Sequence, residues 1–249
     1  MDKIFDAHLH IIEPGYPLIE NQGFVPELFT CTAYLHRMKH YELRGGAIVS
    51  GSFQGFDQSY LINALKTLGQ GFRGVTQLPP DCTDKEILEL DKAGVKAVRM
   101  NIRRGGRDLL GQLEALAERV YGLAGWHVEL YINAADLPEI SSILKKLPAV
   151  SIDHLGLQKE GLPFLLQLAE KGMRVKASGF GRGNLNIAET ITAVYQANPK
   201  ALMFGTDLPS TRAPRPFEDN DIDIIKKVLP PEAVKDVLYR NAEDWYFKK

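Results

Sequence analysis

The chain has 249 residues, of which 45% are hydrophobic and 24% charged, the balance of a globular protein with a sizeable core. Lys and Arg number 30 against 31 Asp and Glu, so the net charge is −1, which offers no electrostatic footprint for nucleic acid or an anionic membrane. Two cysteines, Cys31 and Cys82, are too few for a disulfide framework or a zinc knuckle, and no apolar run approaches the length of a membrane span.

Along the chain, short β-branched and apolar runs recur at 4–11, 46–51, 72–78, 95–102, 127–132, 149–154, 174–178 and 202–206, and each reads as a strand. Segments with apolar residues at three- and four-residue spacing lie between them, at 59–68, 84–92, 108–124, 136–146, 160–172 and 186–197. In the third, Asp108 is a candidate N-cap, and Leu109, Leu113, Leu116 and Val120 form the apolar stripe. Two more helices are expected around 218–228 and 231–247, the second entered through Pro230-Pro231. Strand then helix, repeated eight times, is the rhythm of a single (β/α)8 barrel spanning 1–249. A doubly wound sheet competes, but no GxGxxG follows the first strand. With that strand beginning at Ile4 there is no room for a signal peptide, and a cytoplasmic location is expected.

A barrel makes a sharp demand of polar residues, because strand side chains alternate between the helix layer and the interior, and chemistry collects at the C-terminal strand ends. In FDAHLH, alternation places Asp6, His8 and His10 inward and Phe5, Ala7 and Leu9 toward the helices. In the fourth strand Val98, Met100 and Ile102 face out, while Ala97, Arg99 and Asn101 face in. In the fifth, Glu129 and Tyr131 face in. The sixth ends at Asp153-His154, the seventh carries Lys176 and Ser178, the eighth ends at Asp207, and Ser52 follows the second. Asp6 reads as a supporting group for the histidines and not as a ligand. His36 and His40 sit at i, i+4 but lack the glutamate of HExxH, so they read as a solvated helix face. Arg99, Arg103, Arg104, Arg107, Arg182, Arg212 and Arg215 fall on or after the tops of strands four, seven and eight, which suits a small anionic ligand at the mouth. The segment 12–30 is long for a strand-to-helix connection, and with Tyr16 and Phe24 it is placed to cover that mouth.

The motifs DAHLH, DHLG, KASG and FGTDLP, in that order over residues 6 to 209, resemble those of the amidohydrolase superfamily, and within it the branch of 2-pyrone-4,6-dicarboxylate lactonase and related sugar-lactone hydrolases. The resemblance implies a barrel hydrolase in which Asp207 activates water and His154 assists the substrate carbonyl. It aligns His8 and His10 with a pair that binds a divalent metal in most of the superfamily, with Asp207 as a further ligand. It also makes Tyr131, Arg99, Ser52 and Arg182 substrate contacts. Leu157 stands where the lactonase carries another arginine. No bridging lysine falls on strand four, and Tyr131 replaces a histidine common in metal-dependent members. The expected cofactor is therefore none or one divalent cation, Zn or Mn, held by His8, His10 and Asp207.

The reading that follows is an ester hydrolase that opens a lactone of a small acidic compound. A lactone isomerase or metal-dependent decarboxylase on the same scaffold is the alternative. A TatD-like nuclease needs a ligand glutamate where Asn101 and Arg99 stand, and a non-catalytic binding protein would keep the pocket without turnover. The expected partner is a small anionic substrate, not nucleic acid or a membrane; nothing in the sequence sets an oligomeric state.

Overall fold

The computed structural model describes residues 1–105 and 110–247. Arg107, Asp108 and Leu109, and the side chain of Arg104, lie outside the described residues. Eight parallel strands run in sequence order as one sheet: β1 Lys3–Leu9, β2 Glu42–Val49, β3 Phe72–Thr76, β4 Val95–Met100, β5 His127–Leu130, β6 Val150–Ile152, β7 Arg174–Ala177 and β8 Leu202–Phe204. Helices return the chain between them: α1 Cys31–Met38, α2 Ser59–Leu68, α3 Asp84–Lys92, the short α4 Ile102–Gly105 with α5 Leu110–Ala124, α6 Leu137–Leu144, α7 Leu162–Glu170, α8 Ile187–Ala197 and, after β8, α9 Asn220–Val228. This is a (β/α)8 barrel. No helix among the described residues is long and apolar enough to cross a membrane.

Two differences from the expected elements have local causes. The helix-like stretch TAYLHRMKHYEL ends at Met38, and Glu42 already pairs with Lys3 in the sheet, so β2 begins earlier than its apolar core suggests. The expected C-terminal helix 231–247 is three pieces, α10 Pro231–Lys235, a π-helical turn Asp236–Arg240 and α11 Asn241–Tyr246. The wider turn accompanies the packing of this segment against β1 and β8.

The core has two compartments. Ile4, Leu9, Ile48, Val98, Met100, Val128, Leu130, Ile152 and Val175 join the large cluster between sheet and helices. Inside the lower barrel, Phe5, Ala7, Ala47, Val49, Val75, Ala97 and Met203 meet Trp245 and Tyr246 of α11, which plug the floor. Strict alternation fails in β1, where it matters for the site. Asp6 pairs with Gly46 and Leu9 with Ile48, so three steps on β1 match two on β2, a bulge. The extra residue puts Phe5 and Ala7 in the inner cluster rather than against the helices, and turns the Asp6 carboxylate away from the two imidazoles, although its Oδ1 still accepts from His8 N at 3.2 Å. Asp6 instead accepts from Thr206 N (2.8 Å), Thr206 Oγ1 (2.6 Å) and the Tyr34 hydroxyl of α1 (3.2 Å).

The barrel is closed between β8 and β1 by two backbone bonds at its upper rim, Asp207 N to His8 O and His10 N to Leu208 O, each 2.7 Å. Gly205 makes this seam possible: a Cβ there would lie 2.7 Å from His8 N. The glycine of the FGTD motif is thus a closure residue.

Candidate active site

The bulge in β1, the closed seam and the inward-facing positions of β4 to β7 bring a set of polar side chains together just above the apolar floor. Asp207 is at its centre and fully buried. Its Oδ2 accepts from Arg182 Nε at 2.7 Å. Its Oδ1 makes no hydrogen bond. Three imidazole nitrogens stand around that oxygen, His10 Nε2 at 3.7 Å, His8 Nε2 at 3.8 Å and His154 Nε2 at 3.9 Å. These gaps are too long for direct hydrogen bonds. Asp207 and His154 both sit in the left-handed backbone region, with φ of 61° and 52°, a conformation non-glycine residues seldom adopt and one found repeatedly at functional sites.

Each imidazole is oriented from behind. His10 Nδ1 lies 2.6 Å from the Val49 carbonyl, so it carries a proton there and turns Nε2 toward Asp207. His154 Nδ1 is 3.0 Å from the Ser178 hydroxyl. If that hydroxyl donates, the neutral ring carries its proton on Nε2, facing the cavity. Gly179 leaves the space for this ring, since a Cβ there would be 2.7 Å from His154 Nδ1, which accounts for the SG of the KASG motif. His8 Nδ1 is 3.4 Å from both Lys176 Nζ and Asp153 Oδ1. Donation from Lys176 places the ring proton on Nε2; donation to Asp153 frees the Nε2 lone pair.

The charges settle each other. Burial alone would raise the Asp207 carboxyl, but the Arg182 guanidinium beside it holds it well below the usual carboxylate range. Burial pushes the His154 imidazole down to about 3, with Asp207 opposing and Arg182 assisting. Burial and then Lys176 push His8 well below the ordinary histidine value. At neutral pH the site therefore holds an ionised Asp207 beside neutral His8 and His154. Beneath it, Lys176 is ion-paired with Glu129, and Arg99 Nε donates to Asp153 at 2.9 Å. Lys176 pulls Glu129 down to about 2 against the opposing effect of burial.

His8, His10 and Asp207 can converge on one metal ion, because their donor atoms lie within 4.8 Å of one another. His8 Nε2 and Asp207 Oδ1 are buried atoms with no hydrogen-bond partner, as expected of ligands, and the His10 proton on the Val49 side is the usual support for a ligating imidazole. A second group, His8, Asp153 and His154, meets the same distance criterion. There the Lys176 ammonium already stands 3.7 Å from Asp153 Oδ1, and Arg99 holds the other oxygen. These cations oppose a second metal.

Above the carboxylate lies a cavity lined by His10, Ser52, Arg99, Tyr131, His154, Arg182 and Asp207, which gathers all the singled-out site residues except His8, buried just below it. Its volume is about 30 Å³, room for one or two water molecules. Phe24 from the 12–30 segment lines it, whereas Tyr16 packs on the main core. Arg182 sits differently from a simple ligand contact, since it spends Nε on Asp207 and Nη2 on the Thr211 carbonyl at 2.8 Å. Of the other arginines at the mouth, Arg103 donates to the Tyr131 hydroxyl at 2.7 Å, and Arg215 is committed to Asp221 at 2.6 Å. His36 and His40 are exposed on and just past α1. Sequence reasoning gave no role to Lys176, Glu129, Asp153 or Ser178, although alternation already aimed Glu129 inward and Lys176 falls on the same pattern.

A curated 2-pyrone-4,6-dicarboxylate hydrolase of Comamonas testosteroni is 32% identical over 61% of this chain and 51% of its own length, so the match spans about half of that relative. A 4-sulfomuconolactone hydrolase of Hydrogenophaga intermedia is 25% identical over 82% of this chain and 74% of its own. A crystal structure from Pseudomonas putida, described as a candidate 2-pyrone-4,6-dicarboxylic acid hydrolase, superposes with a TM-score of 0.79 and 26% identity, covering 98% of this chain and 97% of that one. The family model for amidohydrolases matches residues 5–248, and the chain belongs to that family.

Proposed function

We propose that the protein hydrolyses the cyclic ester of a small acidic compound. The observation that carries this reading is Asp207 Oδ1, a carboxylate oxygen with no hydrogen bond, buried at the base of a cavity and ringed by three imidazole nitrogens. A water above it gives up a proton to Asp207 as its oxygen attacks the lactone carbonyl carbon. His154, with Ser178 accepting no proton but donating to Nδ1, offers Nε2–H to the carbonyl oxygen as negative charge develops there. The ring C–O bond then breaks, and the proton held by Asp207 passes to the leaving oxygen, which yields the open acid. Arg99, Tyr131 and Ser52 line the space where the substrate sits, and both curated relatives bear the names of acidic lactones, which supports an anionic substrate.

One divalent cation, zinc or manganese, fits His8, His10 and Asp207, and when bound it would supply Lewis acidity at the carbonyl. The roles of the chain's own residues are the same: Asp207 holds the charge, His10 and His8 shape its surroundings, and Arg99, Tyr131 and Ser52 face the bound acid. The test is acid release from a panel of carboxylated lactones, with Asp207→Asn as control. Turnover undiminished in that variant overturns the mechanism, and carbon dioxide release in place of ring opening overturns the reaction.

A further inference from the structure

We infer that Arg212, on the loop after β8, is a specificity-determining residue that binds an acidic group of the substrate from the side of the cavity lined by the 12–30 segment. This rests on the reading of the site as one for an acidic small molecule. Arg212 lines the same cavity as Asp207 and His154. Its guanidinium carbon lies 4.6 Å over the Phe24 ring, and Nη1 donates to Asn21 Oδ1 at 3.2 Å, so the plane of the group is set by the 12–30 segment. Its Nη2 is buried with no hydrogen-bond partner. A buried guanidinium N–H without an acceptor is unfavourable, and a carboxylate is the acceptor whose geometry the fork matches.

The surrounding cations sharpen this. Arg182 is neutralised by Asp207, Arg99 by Asp153 and Arg215 by Asp221. Arg212 has no carboxylate partner among the described residues, so of the three arginines that line the cavity, Arg99, Arg182 and Arg212, it is the one with charge left for a ligand. The backbone holds it there in an unfavourable shape: φ is 58° at Arg212 and 66° at Ser210, both left-handed. An exposed arginine serving only solubility needs neither the strained loop nor the aromatic platform beneath it.

Binding of two unreactive probes tests this without turnover, so a failure of lactone hydrolysis and a failure of this assignment stay distinguishable. Glutarate carries two carboxylates; glutaramate replaces one with an uncharged amide of nearly the same shape. Titration calorimetry should show the unaltered protein preferring glutarate by about tenfold or more, and Arg212→Gln reducing that preference to about twofold or less with glutaramate affinity little changed. Arg212→Lys, which keeps the charge and loses the fork, should restore part of the preference. Circular dichroism checks that each variant folds, with Arg212→Lys carrying the test if Arg212→Gln does not. A preference retained without the guanidinium, an equal loss for both probes, or no binding of glutarate to the unaltered protein overturns the assignment.

Discussion

Arg182 grips Asp207 by one oxygen only, Nε to Oδ2 at 2.7 Å, and leaves Oδ1 free among the imidazoles. The guanidinium thus anchors the carboxylate, keeps it ionised and aims the unbonded oxygen at the cavity. Arg182→Met removes the strongest influence opposing burial, so the Asp207 carboxyl should move up. Because the base works only when ionised, activity should be lost at a higher pH than in the unaltered enzyme. The acid limb of kcat/KM is expected to shift upward, into or toward the assay range. An unmoved limb would mean that Arg182 acts on the substrate alone.

Asp207→Asn keeps the shape and removes the base. The expected loss in kcat is about 10²–10⁴-fold, with KM changed far less, since Oδ1 acts on water and not on the bound acid. Steady-state kinetics on a carboxylated lactone reads both constants. A rise in KM with kcat intact would recast Asp207 as a binding residue.

The two histidines with lowered values carry a pH signature. His154 is pushed down to about 3 and His8 well below the ordinary value, so both are neutral throughout the usual assay range. Neither should contribute an inflection to kcat/KM near about pH 6.5, where an unperturbed imidazole titrates. Ser178→Ala removes the group that orients His154 and should lower kcat by about tenfold without making His154 a source of an inflection near neutrality. An inflection near neutrality that disappears with His154→Gln would show instead that His154 works as an imidazolium.

Much of this arrangement was legible in the sequence because barrels couple chain order to space. The eight apolar runs fell on the eight strands, and alternation correctly aimed Arg99, Glu129 and Tyr131 inward. What alternation missed was local. The bulge in β1 adds a residue, which sends Asp6 to Thr206 and Tyr34 and moves Phe5 and Ala7 inside. No residue type in FDAHLH marks that bulge; it follows from how β1 meets β2. The pairing of Arg182 with Asp207 also spans distant parts of the chain, so no short motif could display it. The Lys176–Glu129 pair was visible only as two inward charges on separate strands.

Metal content follows from the same charges. No more than one divalent cation should bind per chain, at His8, His10 and Asp207, because Lys176 and Arg99 already neutralise Asp153. Elemental analysis after dialysis against zinc or manganese, then against a chelator, measures this. Asp207→Asn should lower retention, whereas His36→Ala and His40→Ala should not. Two equivalents per chain would overturn the assignment of Lys176 as an occupant of that position.

The last prediction concerns that lysine as a structural charge. Lys176 and Glu129 are both fully buried and paired, with Tyr246 and His127 also bonded to the Glu129 carboxylate. Lys176→Met should leave Glu129 uncompensated and cost about 3–5 kcal/mol at neutral pH. The pH dependence gives the sign. In the unaltered protein Glu129 falls from 4.5 to about 2, so its stabilising contribution is present above pH 4.5 and lost as pH falls through about 2. Without Lys176, burial drives the same carboxyl above its unfolded value, and the variant should become less stable, not more, as pH rises from about 5 to about 7. Urea denaturation at the two pH values measures the difference. Adding Glu129→Gln should recover part of the loss and flatten the pH dependence, because the unpaired charge is then gone. A loss in Lys176→Met that is the same at both pH values would show that packing around the alkyl chain, and not the ion pair, is what the lysine supplies.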